Sequence, residues 1–413
     1  MDMGPQGTWS NVAYTQFSIK PLMQLTALTG LYGINFLMLW LAAAVNQWYE
    51  TRSTQQTVSV SLYTMPMVLV LVGIFGVVRL QTSSTPKSTV GVATITMDNL
   101  SVHQEMYRAT FDKTLEMPEV ISQSDPIVVE LNKGMMAFMA DPQAARYAGV
   151  YERMDEVMAK YLDESRKAAA EGAKIITWSE AAIINLKGRE EAYTEAVATL
   201  ADELDIYLFF PTAVFHAEKV GKEELFLENK VLTYGPEGQL LNTYFKNIPV
   251  MGVEPSFPGD GTIPVIATPY GQLSPIICYD ADHPNLMAQV SNSGTDMLVV
   301  PTGDWKAISP YHTYMAAVRC IENGVSMLKA TSNGLSALID DRGRLLEQYD
   351  YFDDAPVKRI VAQMPIRSSN TMYATLAPGF IQLLMLLGAG LMVLSIARSN
   401  GRRRKPVLQQ YPA

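Results

Sequence analysis

Cysteine is scarce in this chain: Cys278 and Cys320 are the two present among 413 residues. Two thiols exclude a disulfide framework and a four-cysteine zinc site, and leave one bridge between them as the single crosslink open. Charge is also thin, at 18% of residues, and acidic in balance, with 41 Asp and Glu against 32 Lys and Arg for a net −9. Nothing resembles a basic groove, which argues against a nucleic-acid partner. The N-terminus lacks the basic stretch and small-residue cleavage site of a secretory signal. There is no internal repeat and no low-complexity tract.

Apolar residues, by contrast, make up 48% of the chain and are unevenly spread. Three runs are long enough to cross the ~30 Å hydrocarbon layer as helices: Leu22–Val45, Ser59–Val78 and Leu376–Ala397. The first is the least apolar, and its Gln24, Thr26, Thr29 and Asn35 favour a partner helix over lipid. The basic tail of Arg398, Arg402, Arg403, Arg404 and Lys405 predicts a cytoplasmic C-terminus. The block between the second and third runs then lies outside the cytoplasm, on a multi-pass protein of the plasma or inner membrane. The N-terminal tail also falls outside with no span before it, which points to a multi-span partner subunit or a further segment. The expected organisation is a membrane region over 1–81, a folded domain over 82–372, and a third span with basic tail over 373–413.

The middle block alternates strand and helix patterns, the signature of an α/β domain. Strand-like runs are Thr89–Ile95, Lys174–Trp178, Ile206–Val214, Leu225–Tyr234, Leu240–Phe245, Leu273–Cys278, Met297–Val300, Val325–Ala330 and Leu335–Ile339. Apolar stripes at helical spacing run through Met154–Leu162 and Ala196–Leu204. Gly235–Gly238 and Asp340–Gly343 read as hairpin turns, and Ser309-Pro310 as an N-cap with Pro at the first helical position. Residues 98 to 146 give no clear pattern and read as an excursion over the domain.

Functional side chains in α/β sheets collect just past the carboxyl ends of strands. Three such ends carry Glu180, Lys246 and Cys278. Brought to one rim, they make a thiol site: the ammonium favours the thiolate, the carboxylate moves the proton, and the lysine steadies the oxyanion. Each residue also has an ordinary reading. Cys278 can be a small buried hydrophobe or half of a disulfide, Lys246 a solvated strand end, and Glu180 a helix cap. Cys320 lies in an apolar helical stripe and reads as core. Asp280, Asp282 and His283 crowd one loop, but their pattern does not specify a metal.

The words around these residues resemble the carbon–nitrogen hydrolase (nitrilase) superfamily and, within it, the apolipoprotein N-acyltransferases. Trp178-Ser179-Glu180-Ala181-Ala182 is similar to the segment carrying the general base, Tyr244-Phe245-Lys246-Asn247 to that carrying the lysine, and Ile276-Ile277-Cys278-Tyr279-Asp280 to that carrying the nucleophile. Glu254 stands where the family places a second glutamate. Asp304-Trp305 with His312 and Arg319, and Lys329–Ser336, resemble two further stretches, and Ala13–Gln16 and Gly33–Phe36 resemble the part just before the enzyme domain.

The resemblance implies a four-layer α-β-β-α sandwich, here joined to the two N-terminal and one C-terminal membrane helices read from the apolar runs, and a Glu180–Lys246–Cys278 triad forming a thioester. It also implies a phospholipid acyl donor, an amine acceptor such as a lipoprotein N-terminus, and no metal or organic cofactor. Glu254, Tyr279, Asp280, Trp305 and Asn333 are then expected to support the triad or line the pocket. The chain departs from the pattern in having two spans before the domain instead of several, Asp280 where Glu is usual, Thr302-Gly303 in place of Ser-Asn, and a short segment after Glu254. A membrane-tethered amidase or nitrilase, or one subunit of a split assembly, are the alternatives.

Overall fold

The structure, a computed structural model, describes residues 6–54, 60–82, 85–97, 100–118, 125–222, 225–353, 358–376, 390 and 393. One compact unit spans Met1–Ala374 and a second Thr375–Ala413. The apolar run Leu376–Ala397 and the basic tail fall almost wholly outside the described residues.

Thirteen strands are described: β1 Ser88–Ile95, β2 Ile175–Trp178, β3 Ile183–Leu186, β4 Tyr207–Phe215, β5 Leu227–Tyr234, β6 Leu240–Phe245, β7 Ile266–Thr268, β8 Gly271–Pro275, β9 Met297–Gly303, β10 Ser326–Ser332, β11 Leu335–Ile339, β12 Leu345–Asp350 and β13 Arg359–Ile366. They form two sheets, one ordered β13-β1-β2-β4-β5-β6 with β3 beside β4, the other β12-β11-β10-β9-β8-β7. The sheets face each other, with β1 against β10 and β2 against β9. Alternation along β4 explains the layering: Phe209 joins the core between the sheets, while Leu208 and Phe210 join the core beneath the outer helices.

The helices are α1 Lys20–Met23, α2 Thr26–Thr29, α3 Leu31–Thr54, α4 Ser61–Gln81, α5 Leu100–Phe111, α6 Pro126–Ala140, α7 Ala148–Ala170, α8 Glu190–Leu204, α9 Pro284–Asn292 and α10 Tyr311–Asn323. The stripes Met154, Val157, Met158, Tyr161 of α7 and Val197, Leu200, Ala201 of α8 are buried against the first sheet. Helix α10 packs on β10 and β11 of the second. The result is an α-β-β-α sandwich.

Several expectations need correction. The run Leu22–Val45 is not one helix: α1 and α2 meet α3 at a bend of 118°. Gly30 makes the break, with φ +62 and no room for a side chain, since a Cβ there would lie 2.4 Å from the Tyr373 ring. One face of this bent segment, with Met23, Ala27, Leu31 and Ile34, is buried, and α2 packs against α10. Gln24 finds its partners inside the chain, donating to the Arg342 carbonyl at 3.0 Å and accepting from Arg79. Helix α4 is long and apolar enough to cross a membrane, and 17% of its most apolar window is buried. Residues 98 to 146 contain α5 and α6. Strand β8 ends at Pro275, three residues before the cysteine. Ser309 is not a helix cap: α10 starts at Tyr311 with Pro310 at its N-cap. The two hairpin turns lie where expected, joining β5 to β6 and β11 to β12.

Candidate active site

Strand polarity decides which side chains can meet. β2 and β4 are parallel, and β5 and β6 then reverse direction twice, so β2 and β6 end at the same rim. Glu180 follows β2 and Lys246 follows β6. In the facing sheet β8 runs parallel to β9, and Cys278 follows it after two extended residues. All three line one cavity of about 730 Å3.

Local geometry aims each group. Ile277 is extended, and Cys278 then turns sharply with φ +47 into a short 3-10 helix, Cys278–Asp282. A side chain at positive φ costs about 1 kcal/mol and is held by its surroundings. Those surroundings centre on Asp280, whose carboxylate accepts from Tyr244 Oη at 2.7 Å, Ile277 N at 3.1 Å, Ile248 N at 2.8 Å and Asn247 N at 3.4 Å. Asp280 thus joins the cysteine turn to the segment bearing Lys246, and it does not line the cavity. Burial raises its pKa to about 6 against the opposing pull of Tyr244 and the other donors.

Glu180 is fixed from three sides. Its Oε1 accepts from Lys246 Nζ at 2.8 Å and Asn229 Nδ2 at 2.8 Å, and its Oε2 from Gly303 N at 2.8 Å. Lys246 Nζ also donates to Glu254 Oε2 at 2.6 Å, and Asn229 to Glu254 Oε1 at 2.6 Å. Asn229 was not legible in the sequence, where it is one polar residue within a strand. The Thr302-Gly303 departure has little consequence for these contacts, because they are made by main chain: Gly303 N holds Glu180, and Gly303 O accepts from Cys278 Sγ at 3.9 Å.

The electrostatics favour a neutral thiol at rest. Burial pushes the Cys278 thiol well above its ordinary value, the Glu180 carboxylate pushes it further, and the Lys246 ammonium opposes both. Burial works against the Lys246 charge, but Glu180, Cys278 and Glu254 outweigh it and hold the ammonium protonated. Burial likewise raises Glu254, and Lys246 with its other donors more than reverses this. The arrangement provides a thiol in need of a base, a carboxylate, and a fixed cation around one cavity.

Other expected residues divide. Tyr279 and Trp305 line the cavity. Asn333 occupies the β10–β11 turn with φ +53 and is not part of the cavity wall, whereas its neighbour Ser332 is. Cys278 and Cys320 are both free thiols, which removes the disulfide reading. Trp9, from the N-terminal segment, forms part of the wall; it stacks parallel to Trp305 with centroids 6.3 Å apart and donates to Asp282 at 2.8 Å.

Ligand atoms of Cys278, Asp304 and His312 lie within 4.8 Å of one another, which invites a metal reading. His312 argues against it. Its two ring nitrogens face the carboxylates of Asp304 and Asp282, a pattern that requires two N–H donors. Burial opposes the charge, but Asp304 and Asp282 raise the pKa to about 9. An imidazolium has no lone pair for a metal.

The chain resembles several known proteins. The chain is 24% identical to an apolipoprotein N-acyltransferase of Geobacter metallireducens, over 84% of this chain and 62% of that one. It is 22% identical to one from Rickettsia prowazekii, over 86% of this chain and 66% of that one. The chain therefore spans somewhat less than two-thirds of the length of these relatives. A solved amidase from Nesterenkonia sp. aligns with TM-score 0.45 and 16% identity, over 71% of this chain and 96% of that one. The carbon-nitrogen hydrolase family pattern matches residues 140–377, more than half of the sequence, and the chain belongs to that family.

Proposed function

We propose that this chain is a membrane-bound N-acyltransferase that moves an acyl group from a phospholipid, through a Cys278 thioester, to an amine such as a lipoprotein N-terminus. The observation that carries the reading is the character of the cavity holding Cys278, Glu180 and Lys246. Its wall is rich in apolar side chains, and its lip includes Met251 and Val253, which are 74% and 56% exposed. A small amide needs no such lip, whereas a lipid tail does. The relatives named apolipoprotein N-acyltransferase and the apolar helix α4 support the same reading.

In this proposal Glu180 accepts the Cys278 proton as the sulfur attacks the ester carbonyl. Lys246 faces the negative charge that develops on the carbonyl oxygen. Collapse breaks the carbon–oxygen bond, Glu180 returns the proton to the departing lysophospholipid hydroxyl, and the acyl group remains on sulfur. The acceptor amine then attacks the thioester, Glu180 takes its proton, and the sulfur leaves to be reprotonated. Glu254 and Asn229 hold Lys246 and Glu180 in register throughout. The proposed placement has the enzyme domain outside the cytoplasm and the C-terminus inside.

The test uses purified protein in phospholipid micelles with a diacylated lipopeptide bearing a free α-amine. The proposal expects an N-acylated peptide and lysophospholipid in equal amounts. Ammonia release from small amides without any lipid requirement would instead favour the hydrolase.

A further inference from the structure

A second cavity, of about 600 Å3, shares no residue with the Cys278 cavity. Its wall contains the cations Lys20 and Arg344 and the rings of Tyr14, Phe17, Tyr311 and Tyr314, and no Asp or Glu lines it. Lys20 Nζ lies 3.2 Å from the centroid of the Phe17 ring, which itself stacks on Tyr314 at 4.4 Å. Lys20 is within salt-bridge distance of no carboxylate among the described residues, although Asp340, which pairs with Arg344, also favours its charge. Arg344 is oriented from behind, its Nε donating to the buried Asp340 at 2.6 Å, and remains 37% exposed.

The cavity also has a defined place. Lys20 opens α1, the start of the bent apolar segment, and Arg344 reaches the Leu80 carbonyl at the end of α4 at 3.5 Å. Both apolar segments thus meet the sandwich at this point. Cations and tyrosines at the ends of apolar helices are the residues that occupy the headgroup layer of a bilayer.

We propose that this cavity is a binding site for a phosphate-bearing anion, with the headgroup of an anionic phospholipid as its ligand. The two cations would hold the phosphate, and the exposed Tyr311 ring would pack against the glycerol and the first methylenes. The location of the site rests on the membrane reading above; its chemistry does not depend on acyl transfer. The occupant would be a bound structural lipid, separate from the acyl donor.

The test measures binding of dihexanoyl phosphatidylglycerol, dihexanoyl phosphatidylcholine and inorganic phosphate to the full chain in detergent, for wild type and Lys20→Gln. Native mass spectrometry counts the bound lipid, and acylation of Cys278 by phosphatidylethanolamine is followed in parallel. The expected result is a preference for phosphatidylglycerol over phosphatidylcholine, competition by inorganic phosphate, and about fivefold weaker binding in Lys20→Gln. Cys278 acylation is expected to be the same in both proteins. If phosphate alone binds as tightly as the lipid, the anion site stands and free phosphate is its ligand. Equal binding of the two lipids, or equal affinity in wild type and Lys20→Gln, overturns the site. Selective phosphatidylglycerol binding with no acylation of wild type keeps the site and removes the acyltransferase.

Discussion

Asp280 Oδ1 accepts the Ile248 N–H at 2.8 Å, and this bond links the turn that presents the sulfur to the chain that presents the ammonium. The other oxygen takes Tyr244 Oη and Ile277 N, so one carboxylate sets the spacing of two halves of the site that lie on different sheets. Asp280→Ala leaves these buried donors unpaired and is expected to lower stability by about 3 kcal/mol. Asp280→Asn keeps acceptor capacity on one oxygen and costs less. Thermal unfolding in detergent checks this order, and an Asp280→Ala protein as stable as wild type contradicts the linking role.

His312 gives a pH signature. Burial opposes its charge, yet Asp304 and Asp282 raise its pKa from 6.5 to about 9. A pKa raised on folding contributes stability that is full below 6.5 and is lost as pH rises through 9. The full effect is at most about 3 kcal/mol. The stability difference between wild type and His312→Gln should therefore shrink between pH 6.5 and 9. A difference that stays constant across that window shows that His312 is not a buried cation.

Trp9 is predicted to act on substrate affinity more than on chemistry. It stacks on Trp305 and is held by Asp282, but it touches none of Glu180, Lys246 and Cys278 by hydrogen bond. Removing one stacked ring and one hydrogen bond costs about 1–2 kcal/mol, so Trp9→Ala should raise KM for phospholipid roughly tenfold with kcat little changed. A loss confined to kcat contradicts this assignment.

Two glycines of α4 separate packing from propensity. A Cβ at Gly76 would lie 1.9 Å from the Pro21 carbonyl oxygen, whereas one at Gly73 meets nothing within 4 Å. Gly76→Ala must push α1 and α4 apart and is expected to cost about 2 kcal/mol. Gly73→Ala should be neutral or slightly stabilising. Melting temperatures in detergent distinguish the two, and equal tolerance of both changes contradicts the close approach of α1 to α4.

The three proposed reactive residues were legible chiefly because the words around them resemble the family's, and strand polarity brings them to one cavity. What stayed hidden has physical causes. β3 is four residues and β7 three, too short for a period to appear. β12 has largely exposed side chains, and β13 is an edge strand interrupted by Gln363 and Pro365. The break at Gly30 is invisible to hydropathy, because its cause is the Tyr373 ring far along the chain. Asp280 looked like a pocket residue by its place beside Cys278, but its partners at 244, 247 and 248 are set by the tertiary fold. Asn229 is the same case, joined to two glutamates that lie 49 and 25 positions away.

The central claim is that Cys278, Glu180 and Lys246 act as one unit on an acyl carbon. Intact-protein mass spectrometry after incubation with phosphatidylethanolamine measures it most directly. The account predicts a single hydroxylamine-labile acyl adduct on Cys278, absent in Cys278→Ala and formed at least a hundredfold more slowly in Glu180→Gln. An adduct that persists in Cys278→Ala, or one that forms at the wild-type rate in Glu180→Gln, would contradict it.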